Sequence, residues 1–350
     1  MRKYFFILIS ISILFISCNN VETYNDAETF DLKGFSKIEN LKGKTLEFDS
    51  LVMHPSDIIV YDSLLVLVEP KCDKMIHIYN LNSRKREASH ISFGQGPYEM
   101  IRPKFIANNT SGDTLQLFDK SSYCIMKYDM KAFRKPEKVM PFDRVKLSQQ
   151  VFLNVEKIGN DIWGYSHNPK YQFYLFDACN GNKINEIIGY PLCNVEYSDI
   201  EKVDAFYMNF VSNGADKIAI CYCMTNLIDF YNIDGTLHKR IHGPEHFFSH
   251  FNDYKDGKVV SSSPDKNTRD AYFSPCSAGD NLMVLYNGGL VNDSNHSSSC
   301  KWIFSFSWDG KPNVAYKLSD PLLFMTVDEK HRKIYGISNI PEYHIVEYTF

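Results

Sequence analysis

A short apolar strand that ends in an aromatic residue and a polar turn recurs six times, and this repeat constrains the fold more than any other feature. The six copies are Ile78-Tyr79-Asn80, Lys127-Tyr128-Asp129, Leu175-Phe176-Asp177, Phe230-Tyr231-Asn232, Ser305-Phe306-Ser307 and Glu347-Tyr348-Thr349. Most copies are roughly 50 residues apart, a period that is typical of β-propellers. The longer interval between Tyr231 and Phe306 predicts an insertion there. The repeat therefore predicts six blades.

A second strand precedes each aromatic residue, so every copy begins as a hairpin. These strands are expected at residues 64–69, 114–119, 161–167, 217–223, 281–287 and 333–338. The tight-turn dipeptides Asn180-Gly181, Asp234-Gly235 and Asp309-Gly310 then lead into a fourth strand. We expect an all-β, six-bladed β-propeller of four-stranded antiparallel blades. Only the segment after Pro244 suggests a short helix.

The sixth repeat ends on its third strand at Phe350, so its outer strand must come from elsewhere in the chain. We expect Lys44 to Ser50 to supply it, because closure by both ends of the chain leaves no open blade edge. The propeller domain would then span residues 44–350. Residues 18–43 would form a lipidated N-terminus and tether.

The first 17 residues have the pattern of a signal peptide, in which Arg2 and Lys3 precede an apolar run too short to span a bilayer. The run closes on Phe15-Ile16-Ser17-Cys18, which resembles the lipobox of bacterial lipoproteins. That resemblance implies lipidation at Cys18. Because Asn19 and not Asp follows, it also implies an outer-membrane location, periplasmic or surface-exposed.

Eight other cysteines remain in a chain predicted to be exported, where disulfides can persist. Cys221 and Cys223 share one face of a strand and are expected to be buried thiols. Cys276 and Cys300 are the best candidate pair for a disulfide. The chain has no CxxC motif, which argues against a structural zinc site of that type.

Composition excludes some classes of function. The net charge of −4 is made of scattered charges, whereas a nucleic-acid partner requires a basic face. The sequence shows no GxSxG motif and no phosphate-binding loop, so it carries no enzyme signature. We expect no cofactor, and we expect a monomer.

A second signature lies where one blade passes to the next, at Gly94-Gln95-Gly96-Pro97-Tyr98-Glu99-Met100 followed by Pro103. A shorter copy is Gly243-Pro244-Glu245-His246-Phe247. This pattern resembles the blade joint of TolB-like and NHL-like six-bladed propellers. A chain that carries both this pattern and the lipobox-like sequence resembles the propeller lipoproteins of gut anaerobes. The resemblance implies the fold and the location and little chemistry.

Ligands of propellers usually bind where the blade joints and the loops between second and third strands converge, a surface that we call the joint face. Those loops are rich in polar side chains here. The candidate ligand-binding residues are Lys71, Tyr98, Glu99, Arg102, Lys120, Tyr123, His167 and Tyr171. Asp73, Lys170 and Asn226 are further polar side chains in these loops. Glu99 can instead brace its own turn by accepting backbone hydrogen bonds.

Two metal hypotheses remain open. His242, His246 and His250 recur every fourth residue, a spacing that would align the imidazoles on a helix. Alternatively, inner strands could hold a channel metal, as in some hydrolytic six-bladed propellers. The candidate ligands for that metal are Asn108, Asn154, Glu156, Asn209 and Asp328.

The sequence therefore favours a non-catalytic binding or scaffold propeller that contacts a glycan, a peptide or a partner protein. The alternative is a channel-metal-dependent hydrolase or lyase.

Overall fold

A computed structural model describes residues 22–106, 113–152, 154–256, 259–294 and 296–350. Cys18 and the predicted signal peptide lie outside these residues. The first three strands join blades formed by later parts of the chain. They are β1 (Ala27–Thr29), β2 (Lys37–Leu41) and β3 (Lys44–Leu46), with a 3-10 turn at Leu32–Gly34.

The remaining strands of the described residues form six blades and one hairpin, which confirms the predicted fold. Blade 1 contains β4 (Asp57–Tyr61), β5 (Leu64–Val68), β6 (Lys74–Asn80) and β7 (Lys85–Ser92). Blade 2 contains β8 (Pro103–Phe105), β9 (Thr114–Asp119), β10 (Cys124–Asp129) and β11 (Asp143–Lys146). Blade 3 contains β12 (Val155–Ile158), β13 (Asp161–Tyr165), β14 (Phe173–Asp177) and β15 (Lys183–Ile187).

The second half of the ring continues the same order. Blade 4 contains β16 (Met208–Ser212), β17 (Lys217–Tyr222), β18 (Leu227–Asn232) and β19 (Leu237–His242). The hairpin β20 (Phe251–Asp256) and β21 (Val259–Pro264) follows. Blade 5 contains β22 (Tyr272–Ala278), β23 (Asn281–Tyr286), β24 (Cys300–Ser307) and β25 (Pro312–Leu322). Blade 6 contains β26 (Phe324–Asp328), β27 (Lys333–Ser338) and β28 (His344–Thr349).

The six repeated aromatic residues lie on the third strand of each blade, and all are buried. Apolar clusters fill the space between neighbouring blades, one cluster to each interface. Each cluster includes one of the six repeated aromatic residues, whose buried apolar surface helps to hold one blade against the next. The hairpin β20–β21 accounts for part of the long interval before Phe306.

The ring closes as predicted, because β3 pairs antiparallel with β28 and becomes the outer strand of blade 6. In this pairing Leu46 lies opposite Ile345 and Thr45 opposite Val346. Both ends of the chain therefore hold one blade together.

The segment expected to be a tether differs from that expectation. β1 pairs parallel with β19, and β2 pairs parallel with β25, so blades 4 and 5 each gain a fifth strand. Tyr24, Phe30 and Phe35 are buried beside these strands. The segment covers two blade edges whose backbone groups would otherwise be unpaired.

Two short helices lie outside the blade strands. α1 (Met130–Phe133) follows β10, and α2 (Asp199–Ala205) precedes blade 4 with a capping box from Ser198. The helix suggested after Pro244 is not formed, since the chain from Pro244 to His250 is irregular before β20 begins. None of the helices in the described part of the chain has the length and apolar character that a membrane span requires.

The candidate disulfide between Cys276 and Cys300 is not formed. Cys276 lies on β22 and Cys300 on β24, and β23 runs between them. Alternate strands are about 9–10 Å apart, beyond the reach of a disulfide. All eight described cysteines are free thiols, and Cys221 and Cys223 are buried as expected.

Candidate functional site

The first strands of the six blades surround a cavity of about 490 Å³, which we call the axial cavity. Every first strand contributes to its lining. Representative lining residues, one from each strand in ring order, are Ile59, Lys104, Glu156, Asn209, Cys276 and Met325. The lining also includes Asn154 just before β12 and Gly214, Gly279 and Glu329 in turns beyond the opposite strand ends. The axial cavity therefore follows the whole length of the inner strands.

Asp57 and Lys104 provide opposite charges on neighbouring strands of the axial cavity. The Asp57 carboxylate is held in place by the Ile58 amide, 3.0 Å from Oδ1, and by the Phe105 amide, 3.0 Å from Oδ2. Burial raises the pKa of the Asp57 carboxyl, and the positive charge of Lys104 opposes this rise. Asp57 thus links blades 1 and 2 and also presents a polar group to the cavity.

Blade 3 contributes a carboxylate and an amide that are deeply buried at the axis. Asn154 is 7% exposed and Glu156 is fully buried. The Oδ1 atom of Asn154 has no hydrogen-bond donor among the described residues. Buried polar atoms are nearly always paired, so this unpaired acceptor marks a polar position in the wall of the axial cavity.

Asn209 on blade 4 lines the same cavity. Its Nδ2 atom donates to the Cys223 thiol sulfur at 3.2 Å, which fixes the orientation of the amide.

Burial raises the pKa of Cys276, and the nearby charges of Asp57 and Glu156 add to the rise. The cavity thiol is therefore protonated at neutral pH and is unsuited to act as a nucleophile.

Positive charge is concentrated where blade 2 meets the axis. Burial lowers the pKa of Lys120 to about 8, with further contributions from Lys104 and Arg102. Of these residues, Lys104 lines the axial cavity and Arg102 is exposed. A group of three cations favours anionic or acceptor-rich ligands on this side.

Tyr98 and Glu99 lie in a second cavity, of about 450 Å³, which is lined also by His90 and Lys138. The Lys138 Nζ atom is 5.2 Å from the centre of the Tyr98 ring. Glu99 Oε2 accepts a hydrogen bond from the Gly96 amide at 2.9 Å. The bracing role that the sequence allowed for Glu99 is therefore present in the structure.

The other predicted ligand residues are spread over blades 1 to 3. Lys71 is exposed in the β5–β6 loop. His167 stacks on Phe152 with ring centres 4.3 Å apart. Tyr171 lies beneath the Lys170 ammonium, and the Tyr123 hydroxyl accepts a hydrogen bond from Gln150. None of the eight predicted residues lines the axial cavity.

Asn226 was expected on the rim and is instead fully buried. With its amide oriented to satisfy its neighbours, its oxygen accepts from the amides of His246 at 2.9 Å and Glu245 at 3.2 Å. Asn226 therefore braces the second joint and cannot contact a ligand.

The three spaced histidines do not form a chelating group, because each imidazole contacts a different partner. Nε2 of His242 is 3.3 Å from the Phe247 carbonyl oxygen, and Nε2 of His246 is 2.8 Å from that of Phe30. His250 pairs with Glu22 at 3.2 Å. The helix that would have aligned them is not formed.

Three of the five candidate channel ligands do share the axial cavity, namely Asn154, Glu156 and Asn209. Asp328 is instead hydrogen-bonded to His331 at 2.7 Å, and Asn108 lies outside the described residues. Sequence reasoning missed Asp57 and Lys104. Their positions at the beginning and middle of inner strands were the available signal, because alternate residues of an inner strand face the axis.

Comparison with known proteins agrees with this architecture. The sequence profile described as TolB-like 6-blade propeller-like matches residues 34–330. The chain therefore belongs to the TolB-like six-bladed propeller family. No curated protein matches it at a significant level.

Solved structures show the same fold at low sequence identity. A member of the duf4221 family from Bacteroides vulgatus is 8% identical with a TM-score of 0.56, and the match covers 94% of this chain and 99% of that one. A putative exported protein from Bacteroides fragilis is 8% identical with a TM-score of 0.50, over 89% of this chain and 98% of that one. Raptor from Chaetomium thermophilum is 9% identical with a TM-score of 0.50, over 89% of this chain but only 29% of its own length.

Proposed function

We propose that this protein is an exported binding propeller that takes a hydroxyl-rich ligand, such as the end of a glycan, into its axial cavity. The observation that carries this proposal is the buried Oδ1 atom of Asn154, which has no hydrogen-bond donor among the described residues although Asn154 lines a polar cavity. Asp57 and Glu156 add acceptors, whereas Lys104 adds a donor. Sugar hydroxyl groups both donate and accept hydrogen bonds, so they match this mixed lining.

The test is calorimetric titration of the purified ring with a panel of neutral and uronic-acid disaccharides. We expect binding of at least one member, and we expect Lys104→Ala and Asn154→Leu each to weaken it roughly tenfold, the cost of about one hydrogen bond. Tyr98→Ala is the matched control, because Tyr98 lies in the second cavity. Loss of binding in Tyr98→Ala alone would place the site on the joint face. Absence of binding by the whole panel would contradict a sugar ligand.

A second candidate function is metal-dependent hydrolysis in the channel. It is favoured by one observation, the presence of Asn154, Glu156 and Asn209 in one cavity. Hard oxygen ligands of this kind suit Ca²⁺. Calcium-dependent hydrolysis of a lactone that disappears in Glu156→Gln would support this candidate over the binding role.

We further propose that Cys18 anchors the ring to the outer membrane. The lipobox-like sequence supports this, as does the fold shared with a Bacteroides protein described as exported. Five residues separate Cys18 from Tyr24, which is buried in the ring. The six residue steps from Cys18 to Tyr24 span at most about 22 Å, so blade 4 would lie close to the membrane surface.

A further inference from the structure

Blade 1 contains a cluster of three side chains of metal-binding type, apart from the axial cavity. Glu69 directly follows β5, Cys72 lies in the next loop, and His77 lies on β6. One ligand atom from each of them lies within 4.8 Å of the other two. Among the described residues this is the group of His, Cys, Asp and Glu side chains that meets that condition.

The distances within the cluster suit a small cation. Nε2 of His77 and Oε2 of Glu69 are 3.6 Å apart, which is too long for a hydrogen bond between them. Ligand bonds of 2.0–2.3 Å in a tetrahedral zinc site place neighbouring ligand atoms roughly 3.3–3.7 Å apart. The imidazole and the carboxylate therefore already have the separation that a shared Zn²⁺ ion requires, and the Cys72 thiol lies within 4.8 Å of both ligand atoms.

Neighbouring groups fix the direction of both ligands. The Ser89 hydroxyl lies 2.8 Å from Nδ1 of His77 and can accept a hydrogen bond from Nδ1–H, which leaves the Nε2 lone pair directed toward Glu69. Oε1 of Glu69 accepts from the amides of Met53 at 2.6 Å and His54 at 3.1 Å, which leaves Oε2 facing His77. Metal-binding histidines are typically held in this way by a second hydrogen bond.

With the His77 proton on Nδ1, two acceptor atoms face each other in a buried site. His77 is 4% exposed, and its Nε2 atom has no hydrogen-bond partner in the described part of the chain. A bound cation would satisfy both acceptors.

We propose that Glu69, Cys72 and His77 bind one Zn²⁺ ion, with water in the fourth position. A thiolate, an imidazole and a carboxylate form a mixed set that suits zinc, whereas Mg²⁺ and Ca²⁺ take oxygen ligands. On binding, the Cys72 thiol releases its proton to solvent and its sulfur bonds to the metal. The ion would fasten the β5–β6 loop to residues 53–54, just after the strand that closes the ring.

The test uses the full chain lacking its signal peptide, kept reduced and stripped of metal by a chelator. Titration with Zn²⁺ should show one site per chain. Co²⁺ should give a thiolate-to-metal charge-transfer band in the near ultraviolet. Cys72→Ser and His77→Asn should lose the band and more than about 100-fold in affinity, beyond the 10–100-fold effect of removing a hydrogen-bond partner of a ligand.

Two further variants keep the test decisive. Cys179→Ser removes an exposed thiol outside the cluster and should leave the zinc affinity and the cobalt band unchanged. Ser89→Ala should keep one site but weaken it about 10-fold, as expected for the group that orients His77. Circular dichroism of each variant checks that it folds. Absence of a zinc site in folded wild-type protein, or equal loss in Cys179→Ser and Cys72→Ser, would overturn the proposal.

Discussion

At the scale of single residues, the joints between blades depend on side chains that bind backbone amides. Glu99 holds Gly96, Asn226 holds His246, and Glu69 holds Met53 and His54. Asp119 does the same for Arg102, whose amide lies 2.9 Å from the carboxylate. Polar residues in the loops of the joint face are thus partly structural, and this explains why loop polarity alone is a poor guide to a ligand site.

Glycine also has different roles at positions with the same backbone conformation. Gly181 and Gly214 have φ of +74° and +75°. A Cβ atom at Gly181 would press on the Lys146 backbone carbonyl, whereas one at Gly214 would meet nothing within 4 Å. Left-handed strain should therefore cost both alanine variants about 1–2 kcal/mol. Gly181→Ala should lose about 1–3 kcal/mol more, because backbone must move.

Urea denaturation of the two glycine variants measures this difference directly, since each serves as the control for the other. Equal losses of unfolding free energy would show that the contact with Lys146 is relieved without cost.

At the scale of elements, the N-terminal segment adds strands to three consecutive blades in space. β1 and β2 extend blades 4 and 5 in parallel, and β3 completes blade 6 in an antiparallel pair. Only the third of these was expected. A missing strand in a repeat can be inferred from the sequence, whereas an additional strand on a complete blade leaves no gap that would reveal it.

The contribution of β3 to closure can be tested at Leu46, which is 4% exposed and packs between blades 6 and 1. Leu46→Ala should lower the free energy of unfolding by about 2–5 kcal/mol, through the buried area lost and the cavity left behind. The neighbouring Glu47 is exposed, so Glu47→Ala should change stability by no more than about 0.5 kcal/mol. Thermal melting of both variants compares them. If Leu46→Ala were as stable as Glu47→Ala, β3 would not hold the ring closed.

At the scale of the whole molecule, the ring places its polar inner strands around one axis and its apolar side chains between blades. Inner-strand residues are tied across blades, as where the Val60 amide donates to the Thr326 hydroxyl at 3.2 Å. Contacts between neighbouring blades thus hold the wall of the axial cavity, and a ligand entering it would meet a lining that is already in place. Such preorganisation lowers the entropic cost of binding.

The proposed anchor concerns the whole molecule because it determines where in the cell the propeller is located. Cys18→Ala should move the protein from the membrane fraction to the soluble fraction, since loss of the lipid removes the proposed attachment. Cys179→Ser, which changes an exposed cysteine within the propeller, should remain with the membrane. Fractionation followed by immunoblotting distinguishes them. Unchanged membrane partition of Cys18→Ala would contradict the anchor.

The sequence by itself determined the number of blades, the order of their strands and the closure by β3. These follow from local periodicity, since each aromatic third strand and each tight turn is encoded within a few neighbouring residues. It also indicated Asn154, Glu156 and Asn209 as candidate ligands in the channel. The tertiary structure alone decided that these residues meet Asp57 and Lys104 in one cavity, and that Cys276 and Cys300 are separated by a strand. Such contacts join distant blades, and they depend on how the ring curves and closes, which no local pattern records.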